Sequence, residues 1–309
     1  MQLKRIFYLL VLVIFIGSCN NDDDETAVVV PPQTLTETIA SDEAAIKEYL
    51  STHFYNYEDF ANPADDFDYK IVIGDIEGDN AGKTPLLDQV ETQTIKVEIT
   101  EEEGLIDHTL YYLIAREGVG ENPTIGDNSF VHYEGSLLDG TIFDISTTPA
   151  VFNLSGVVRG FGNGVTKLKS GTGPIENGNG TVSYEDYGVG MIIMPSALGY
   201  YNSSSSSLIP SYSPLIFKVD LLSYLKNTDT DEDGIPNIEE DVDGDGNLNN
   251  DNTDVDTEFS TFLANYTDSD DDGDGISTLD EISDENGVII KPYPDTDNDG
   301  TPDYLDSDS

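Results

Sequence analysis

Two periods of apolar and polar residues run along the chain, and they predict where strands and helices lie. In residues 94–99 the apolar Ile95 and Val97 alternate with charged residues, which is the two-residue period of a half-buried strand. Residues 191–194 are apolar throughout, as in a buried strand. By these criteria strands are predicted at residues 69–76, 94–99, 108–117, 130–133, 141–143, 151–154, 191–194 and 215–225.

Helical spacing occurs twice. Apolar and aromatic residues recur every three or four positions from Ile46 to His53, and Ser41 is a suitable N-cap, so an amphipathic helix is predicted at residues 42–52. His53 is expected to pack at the end of this helix, because no cysteine or second histidine lies near it in the sequence. A short helix is also predicted within residues 157–168. Tertiary packing must hold it, because each of its three glycines costs about 1 kcal/mol relative to alanine.

Charge is distributed unevenly over the 309 residues. The chain has 61 acidic and 13 basic residues, and its formal net charge of −48 argues against a nucleic-acid partner, because phosphate binding requires positive charge. Residues 105–227 carry 11 acidic and 6 basic residues, whereas residues 228–309 carry 28 acidic residues and one base, Lys291. The acidic excess therefore belongs mainly to a C-terminal tail of a chain long enough for two domains.

The N-terminus carries a targeting pattern. Basic residues precede an apolar run at residues 6–16 that is too short for a transmembrane helix, and small residues then lead to Cys19, the single cysteine. This pattern resembles the lipobox of bacterial lipoproteins, which implies lipidation of Cys19; an ordinary signal peptide with an incidental cysteine is the alternative. The acidic residues 20–25 resemble the surface signal of Bacteroidetes lipoproteins, although a solvated tether has a similar composition.

Four ordered segments carry the most specific signal in the chain. They read VHYEGSLLDGTIFD from Val131, VVRGFGNGV from Val157, MPSALGYYN from Met194 and IPSYSPLIFKVDLL from Ile209. Together they resemble the FKBP family of peptidyl-prolyl cis–trans isomerases over about two-fifths of the chain, residues 105–226. The resemblance implies an α+β fold in which an antiparallel FKBP-type sheet wraps around a short helix and leaves an aromatic hollow between them. It also implies an enzyme that needs no cofactor for catalysis.

The resemblance further implies which residues form the site. The backbone N–H of Val158, at the start of the helix, is expected to donate to the carbonyl of the ligand, and the Tyr200 hydroxyl is expected at the rim. The predicted site residues are Tyr133, Phe143, Asp144, Val157, Val158, Phe161 as the floor, Tyr200, Leu208 and Ile209 as an apolar lip, and Phe217 as the wall.

Several positions depart from the family pattern. Phe161 replaces the usual tryptophan floor, and no arginine follows Asp144 to pair with it. Ala150 and Val151 stand where a further aromatic residue is common, and the glycine-rich residues 171–190 are longer than a simple strand connection. We expect these changes to tune affinity. A hollow that only binds peptides is the alternative.

The acidic tail repeats a twelve-residue pattern of oxygen ligands. Carboxylates recur at positions 1, 3 and 5, glycine follows at position 6 and position 12 is again acidic, which is the spacing of a loop that wraps calcium. A fourth loop is less complete, because Asn252 occupies its position 12. The predicted ligands are Asp229, Asp231, Asp233, Ile235 and Glu240 in the first loop, Asp241, Asp243 and Asp245 in the incomplete one, Asp270, Asp272, Asp274, Ile276 and Glu281 in the next, and Asp295, Asp297, Asp299, Thr301 and Asp306 in the last.

The residues around these loops distinguish two kinds of calcium module. Long amphipathic helices do not flank the loops, and Pro236 and Pro302 stand at position 8. The tail is therefore more similar to thrombospondin type 3 repeats than to EF-hands, and this resemblance implies that calcium itself forms the core. A disordered acidic stalk is the alternative, since high net charge and few aromatic residues favour disorder.

These observations predict five segments: a lipoprotein signal peptide at residues 1–18, a lipidated tether at 19–40, an N-terminal extension of a short helix and strands at 41–103, an isomerase domain at 104–227 and an irregular calcium-binding tail at 228–309. The predicted protein is an outer-membrane lipoprotein on the periplasmic or cell-surface face. It is expected to isomerise X-Pro bonds of exported proteins, to contact the membrane through the lipid and to hold structural Ca²⁺. The alternatives are a non-catalytic, calcium-stiffened scaffold or adhesin whose hollow only binds proline-containing peptides, and a protein whose tail is the functional part.

Overall fold

The computed structural model describes residues 33–98, 104–203, 206–254 and 263–308. The predicted signal peptide, Cys19 and the acidic signal after it lie outside these residues. No helix in the described ranges is long and apolar enough to cross a membrane.

The helices and strands alternate irregularly along the chain. In order they are α1 (Leu35–Thr52), β1 (His53–Tyr55), α2 (Tyr57–Ala61), β2 (Ile73–Asp75), β3 (Glu91–Val97), β4 (Ile106–Arg116), β5 (Asn128–Leu137), β6 (Ile142–Asn153), α3 (Arg159–Val165), β7 (Thr172–Glu176), β8 (Val182–Glu185), β9 (Gly188–Met194), β10 (Leu215–Leu225) and α4 (Thr278–Glu281). Short 3₁₀ turns connect several of them.

A six-stranded antiparallel sheet organises the chain. Its strand order is β3-β4-β9-β10-β5-β6, and two further pairs, β1-β2 and β7-β8, form small sheets of their own. The predicted antiparallel sheet with a short helix is therefore confirmed. The central strand β9 is buried along its whole length, because other parts of the chain cover both faces of the sheet.

One face of the sheet packs on α3. Phe161 and Val165 of this helix are 3% and 0% exposed and lie in one cluster with Ile192, Met194 and Phe217 of the sheet. The opposite face packs on the N-terminal extension, where Ile46 and Leu50 of α1 join Tyr111, Met191 and Ile216 in a second buried cluster. The extension thus covers a sheet face that water would otherwise reach.

The glycines of α3 allow the helix to approach the sheet closely. A Cβ at Gly164 would lie 2.5 Å from the Cδ1 atom of Ile192, and one at Gly160 would lie 2.5 Å from the sulfur of Met194. Real Cβ atoms are not found at such distances from their neighbours. The packing that these glycines permit therefore offsets their weak helix propensity.

The first helix begins earlier than predicted. Its N-cap is Thr34, whose hydroxyl accepts from the N–H of Glu37 (3.2 Å), while the Glu37 carboxylate accepts from the N–H of Thr34 (2.9 Å). This capping box is a stronger start signal than Ser41, whose hydroxyl donates instead to the Thr38 carbonyl within the helix. The helix therefore extends into the segment predicted as tether.

Other boundaries also differ. The strands predicted at residues 141–143 and 151–154 merge into one continuous strand, β6 (Ile142–Asn153), and residues 69–76 contribute only the short β2. The long connection at residues 171–190 contains the β7-β8 hairpin. His53 packs at the end of α1, with its ring stacked on Tyr49 at a centroid distance of 4.0 Å.

Candidate functional site

A hollow of about 290 Å³ opens between α3 and the strands that face it. Strands β5, β6 and β10, the loop before α3 and the turn after β9 all contribute to its wall. Its lining residues are Tyr133, Asp144, Phe152, Gly156, Val157, Val158, Phe161, Tyr200 and Phe217.

Aromatic rings form the base of the hollow. Phe161 lies in the middle, with ring centroids 5.0 Å from Phe217, 5.5 Å from Phe152 and 6.3 Å from Tyr133, and the ring planes meet at 74° to 78°. Such edge-to-face contacts are favourable for aromatic rings and fix their orientation. The base is therefore apolar and held in one shape.

Polar groups lie at the edge. The Tyr133 hydroxyl donates to Oδ2 of Asp144 at 2.7 Å. Burial, together with this bond to a carboxylate, raises the pKa of Tyr133 to about 12, so the phenol stays protonated at neutral pH. Val158 is the N-cap of α3, and its carbonyl accepts from Phe161, whereas its own N–H has no acceptor within the described residues. That N–H is available to a bound carbonyl.

Seven of the ten predicted site residues line the hollow, and three do not. Phe143 packs behind Phe217 at 5.6 Å, across Gly135, where a Cβ would lie 2.5 Å from the Phe143 ring. Leu208 is 47% exposed, and Ile209 is 4% exposed within the core. The Ile209 N–H bonds to the Ser206 carbonyl, so the chain turns there, and neither residue is among those that line the hollow.

Phe152 is a lining residue that the sequence analysis missed. In the family pattern an aromatic residue is common at the positions of Ala150 and Val151. In this structure the aromatic residue is Phe152, one position further along β6. Val151 is 55% exposed, whereas Phe152 faces Tyr133 and Phe161. The two-residue alternation of a strand was the available signal.

The turn that carries Tyr200 is fixed by the N-terminal extension. Oδ2 of Asp42 in α1 accepts from the N–H and the hydroxyl of Ser196, at 2.8 and 2.6 Å. Ser196 is fully buried, and its carbonyl in turn accepts from the N–H of Tyr201 (2.8 Å). Burial raises the pKa of Asp42, although these bonds oppose the shift. No sequence pattern links a helix carboxylate to this distant turn.

A second, larger hollow of about 370 Å³ lies on the opposite face of the sheet. His132, Lys218 and Asp220 line it, at strand positions that alternate with those facing α3. Its lining is mixed and includes six acidic or basic side chains, so a proline ring there would displace water from charged groups at a cost, whereas the base of the other hollow is aromatic. We therefore assign the site to the aromatic hollow.

The four acidic loops share one backbone conformation. In each, the N–H of the position-6 glycine donates to a carboxylate oxygen of position 1, at 3.1 to 3.2 Å. These glycines have φ between 76° and 107°, which side-chain-bearing residues rarely adopt. They are Gly234, Gly246, Gly275 and Gly300.

Position 9 of three loops has a role that the ligand pattern did not reveal. The side chains of Asn237, Thr278 and Asp303 accept hydrogen bonds from the N–H of position 2, at 2.9, 3.1 and 2.6 Å. Each belongs to the short helical turn after position 8. This turn brings position 12 back towards the loop.

The carboxylates of each loop converge. Ligand atoms of Asp229, Asp231 and Asp233 lie within 4.8 Å of one another, as do those of Asp270, Asp272 and Asp274 and of Asp295, Asp297 and Asp299. In the fourth loop, ligand atoms of Asp241 and Asp243 lie within 4.8 Å of one of Asp251, at position 11, and the predicted Asp245 is not in this group. The position-12 acids Glu240, Glu281 and Asp306 each have at least one buried oxygen without a partner in the described residues.

The donor set fits a hard divalent cation. All donors are oxygens, the ligands that calcium prefers, and both carboxylate oxygens of Asp231 and Glu240 lack a partner among the described residues. Burial and neighbouring carboxylates raise the pKa of Glu240 to about 10 and that of Asp231 to about 7. A cation bound there would displace the protons that these groups otherwise retain.

The tail also has an apolar core, which the resemblance to thrombospondin repeats did not imply. Ile235 and Ile282 are fully buried against Tyr304, itself 4% exposed. Of the three residues predicted to offer carbonyls, Ile235 is thus also a core residue, whereas Ile276 is 51% exposed.

The tail packs against loops that lead to the aromatic hollow. The Asn237 amide donates to the Gly126 carbonyl at 2.9 Å, and the Asn249 amide donates to the Ser155 carbonyl at 2.8 Å. Leu248 is buried in a cluster that Ile125 contacts. Ser155 lies two positions before the lining residue Val157, so the tail supports the segment that leads into α3.

Comparison with known proteins identifies a family that matches part of this chain. The model of the FKBP-type peptidyl-prolyl cis-trans isomerases matches residues 120–174. Peptidyl-prolyl cis-trans isomerase Mip of Coxiella burnetii is 32% identical over 120 residues, which are 38% of this chain and 45% of Mip. FK506-binding protein 1 of Dictyostelium discoideum is 33% identical over 116 residues, which are 36% of this chain and 94% of that protein.

The matches cover only part of the longer relatives. The chain spans less than half the length of Mip. The crystal structure of FkpA from Escherichia coli matches 62% of this chain and 62% of that chain, with 25% sequence identity and a TM-score of 0.35.

Proposed function

This chain belongs to the FKBP family of peptidyl-prolyl cis–trans isomerases, and from this premise we propose that it accelerates rotation about X-Pro bonds in exported proteins. The observation that carries the proposal is the aromatic hollow, where seven site residues predicted from widely separated segments lie together.

The hollow is suited to the reaction because an amide rotates without covalent chemistry. The barrier of about 18–20 kcal/mol comes from the partial double bond of the planar amide. A site that binds the twisted amide more tightly than the planar one lowers this barrier. Phe161, Phe152 and Phe217 offer an apolar surface to the proline ring, and removal from water favours the less polar twisted amide.

Two polar features orient the substrate. The N–H of Val158, which has no acceptor among the described residues, can donate to the carbonyl that precedes or follows the proline, and the bond from Tyr133 to Asp144 holds the acidic edge in place. Tyr200 contributes to the lining of the same hollow. Together these groups fix one part of the peptide while the other part rotates.

A protease-coupled assay with an Ala-Pro peptide tests this activity. The purified protein is expected to accelerate isomerisation, and Asp144→Ala and Tyr200→Phe are expected to reduce kcat/KM. Asp107→Ala and Tyr184→Phe are matched controls away from the hollow and should retain full activity. Absence of acceleration, with no effect of any variant, would reject the enzyme; saturable peptide binding without acceleration would favour a peptide-binding scaffold.

We also propose that the tail binds structural calcium. The all-oxygen loops, their common backbone conformation and their unpartnered buried carboxylates support this role. Sites of this type outside the cell commonly have dissociation constants of about 10⁻⁴–10⁻³ M. A calcium titration followed by circular dichroism should show the tail gaining order, and a spectrum that does not respond to calcium would contradict the proposal.

We further propose that Cys19 anchors the protein by a lipid at the outer membrane, on the periplasmic or cell-surface face. The apolar run ending in Ile16-Gly17-Ser18-Cys19 supports this location. Metabolic labelling with a fatty acid should mark the protein, and Cys19→Ala should abolish the label. Labelling that persists in this variant would refute the anchor.

A further inference from the structure

A group of buried carboxylates joins two acidic loops that are far apart in the sequence. Ligand atoms of Asp233, Glu240 and Asp271 lie within 4.8 Å of one another. Asp233 and Glu240 belong to the first loop, whereas Asp271 lies at position 2 of the loop that begins at Asp270. Position 2 is not a ligand position of the twelve-residue pattern.

Burial distinguishes this group from ordinary surface acids. Asp233, Glu240 and Asp271 are only 2%, 1% and 1% exposed. Both carboxylate oxygens of Glu240 and of Asp271, and one oxygen of Asp233, have no hydrogen-bond partner within the described residues. Three buried carboxylates that share no hydrogen bond with one another need positive charge between them when they are ionised, because their mutual repulsion is little screened.

The backbone fixes the position of Asp271. Its N–H donates to the hydroxyl of Thr278 at 3.1 Å, and its carbonyl accepts from the hydroxyl of Thr253 at 2.8 Å. The converging carboxylates of its own loop are Asp270, Asp272 and Asp274, and Asp271 is not among them. Its carboxylate instead meets the first loop.

From this geometry we propose that Asp271 is a ligand of the cation bound by the first loop, so that one cation site joins the two loops. The spacing fits, because oxygens that coordinate calcium at 2.3–2.6 Å lie within about 5 Å of one another. The all-oxygen donor set selects a hard cation, calcium in preference to zinc. This inference rests on the proposed calcium role of the tail and specifies which parts of the tail calcium holds together.

Calorimetric titration of the purified protein with CaCl₂ tests the assignment. Asp271→Asn should weaken one calcium-binding step about tenfold or more, because ligand charge sets affinity in such sites. Asp280→Asn removes the same charge from an exposed position of the same loop and should change affinity less than twofold. Thr278→Val, which leaves every carboxylate in place but removes the acceptor that orients Asp271, should weaken the same step severalfold.

A double-mutant cycle identifies the loop to which Asp271 contributes. Combined with Asp231→Asn in the first loop, Asp271→Asn should be non-additive, since both changes affect one site. Combined with Asp274→Asn in its own loop, it should be additive. Equal affinities for Asp271→Asn and Asp280→Asn, or non-additivity with Asp274→Asn, would overturn the inference. Failure of the unaltered protein to bind calcium would instead reject the calcium role of the whole tail.

Discussion

The bond from Asp42 to Ser196 predicts that the N-terminal extension supports both stability and catalysis. Asp42→Ala would leave the N–H and the hydroxyl of a fully buried serine without their acceptor. Each hydrogen bond to a charged acceptor contributes about 1.5–3 kcal/mol. Burial of the carboxylate opposes this gain, so we expect a net loss of about 2–4 kcal/mol in the free energy of unfolding.

The conservative variant separates hydrogen bonding from charge. Asp42→Asn retains an oxygen that accepts from Ser196 and avoids the cost of a buried charge, so it should lose about 1 kcal/mol or less. Glu48→Ala removes an exposed carboxylate from the same helix and should leave stability unchanged. Urea unfolding in saturating calcium measures all three variants.

The same variants test whether Asp42 positions Tyr200. Loosening the turn from Ser196 to Tyr201 should move Tyr200, and displacement of a binding group by about 1 Å is enough to lower kcat/KM tenfold or more. Asp42→Ala should therefore lose activity under conditions where it is still folded, and Asp42→Asn should recover it. Unfolding of Asp42→Ala at the same urea concentration as Glu48→Ala would contradict the stabilising role of Asp42. Full activity of the folded Asp42→Ala variant would contradict its role in positioning Tyr200.

Three further predictions concern the packing of α3, the half-buried carboxylate of Asp220 and the tail. Gly164→Ala should destabilise the protein by about 1–2 kcal/mol, because crowding of Ile192 outweighs the gain of about 1 kcal/mol in helix propensity; a more stable variant in urea unfolding would contradict this. Burial raises the pKa of Asp220 to about 6 from 3.8, so its contribution to stability is present below pH 3.8 and is lost as the pH rises through 6. Asp220→Asn should therefore gain stability relative to the unaltered protein at pH 8, by up to about 3 kcal/mol, but not at pH 4, and an equal effect at both pH values in urea unfolding would refute the assignment. Chelation of calcium should reduce both the dichroism of the tail and the isomerase rate. Asn249→Ala should reduce the rate even in calcium, because the Ser155 carbonyl loses its donor. Unchanged rates in both experiments would show that the tail does not support the hollow.

The sequence predicts local features better than contacts between distant segments. The pattern of apolar and polar residues located β4, β9 and β10, and the four FKBP-like segments placed Tyr133, Val158 and Phe161 in one hollow. The start of α1 was predicted at Ser41 alone, and Thr34 was not considered as a cap. Thr34 caps the helix because its side chain and that of Glu37 each accept a hydrogen bond from the backbone N–H of the other residue.

Features that depend on tertiary structure could not be predicted. Nothing in the sequence pairs Asp42 with Ser196, since the two residues meet only after the extension packs against the sheet. Leu208 and Ile209 differ in burial because a turn reverses the chain there. In the fourth acidic loop the closing carboxylate is Asp251, at position 11. A pattern that places the closing acid at position 12 could not predict it.

Amide NMR of the labelled protein during titration with a short Ala-Pro peptide shows which hollow binds the substrate, because the two hollows lie on opposite faces of the sheet. We expect the Val158 amide and the neighbours of Phe161 to shift, and exchange between the cis and trans signals of the peptide to accelerate. Shifts confined to the surroundings of His132 and Asp220, or faster exchange without a response at Val158, would contradict it.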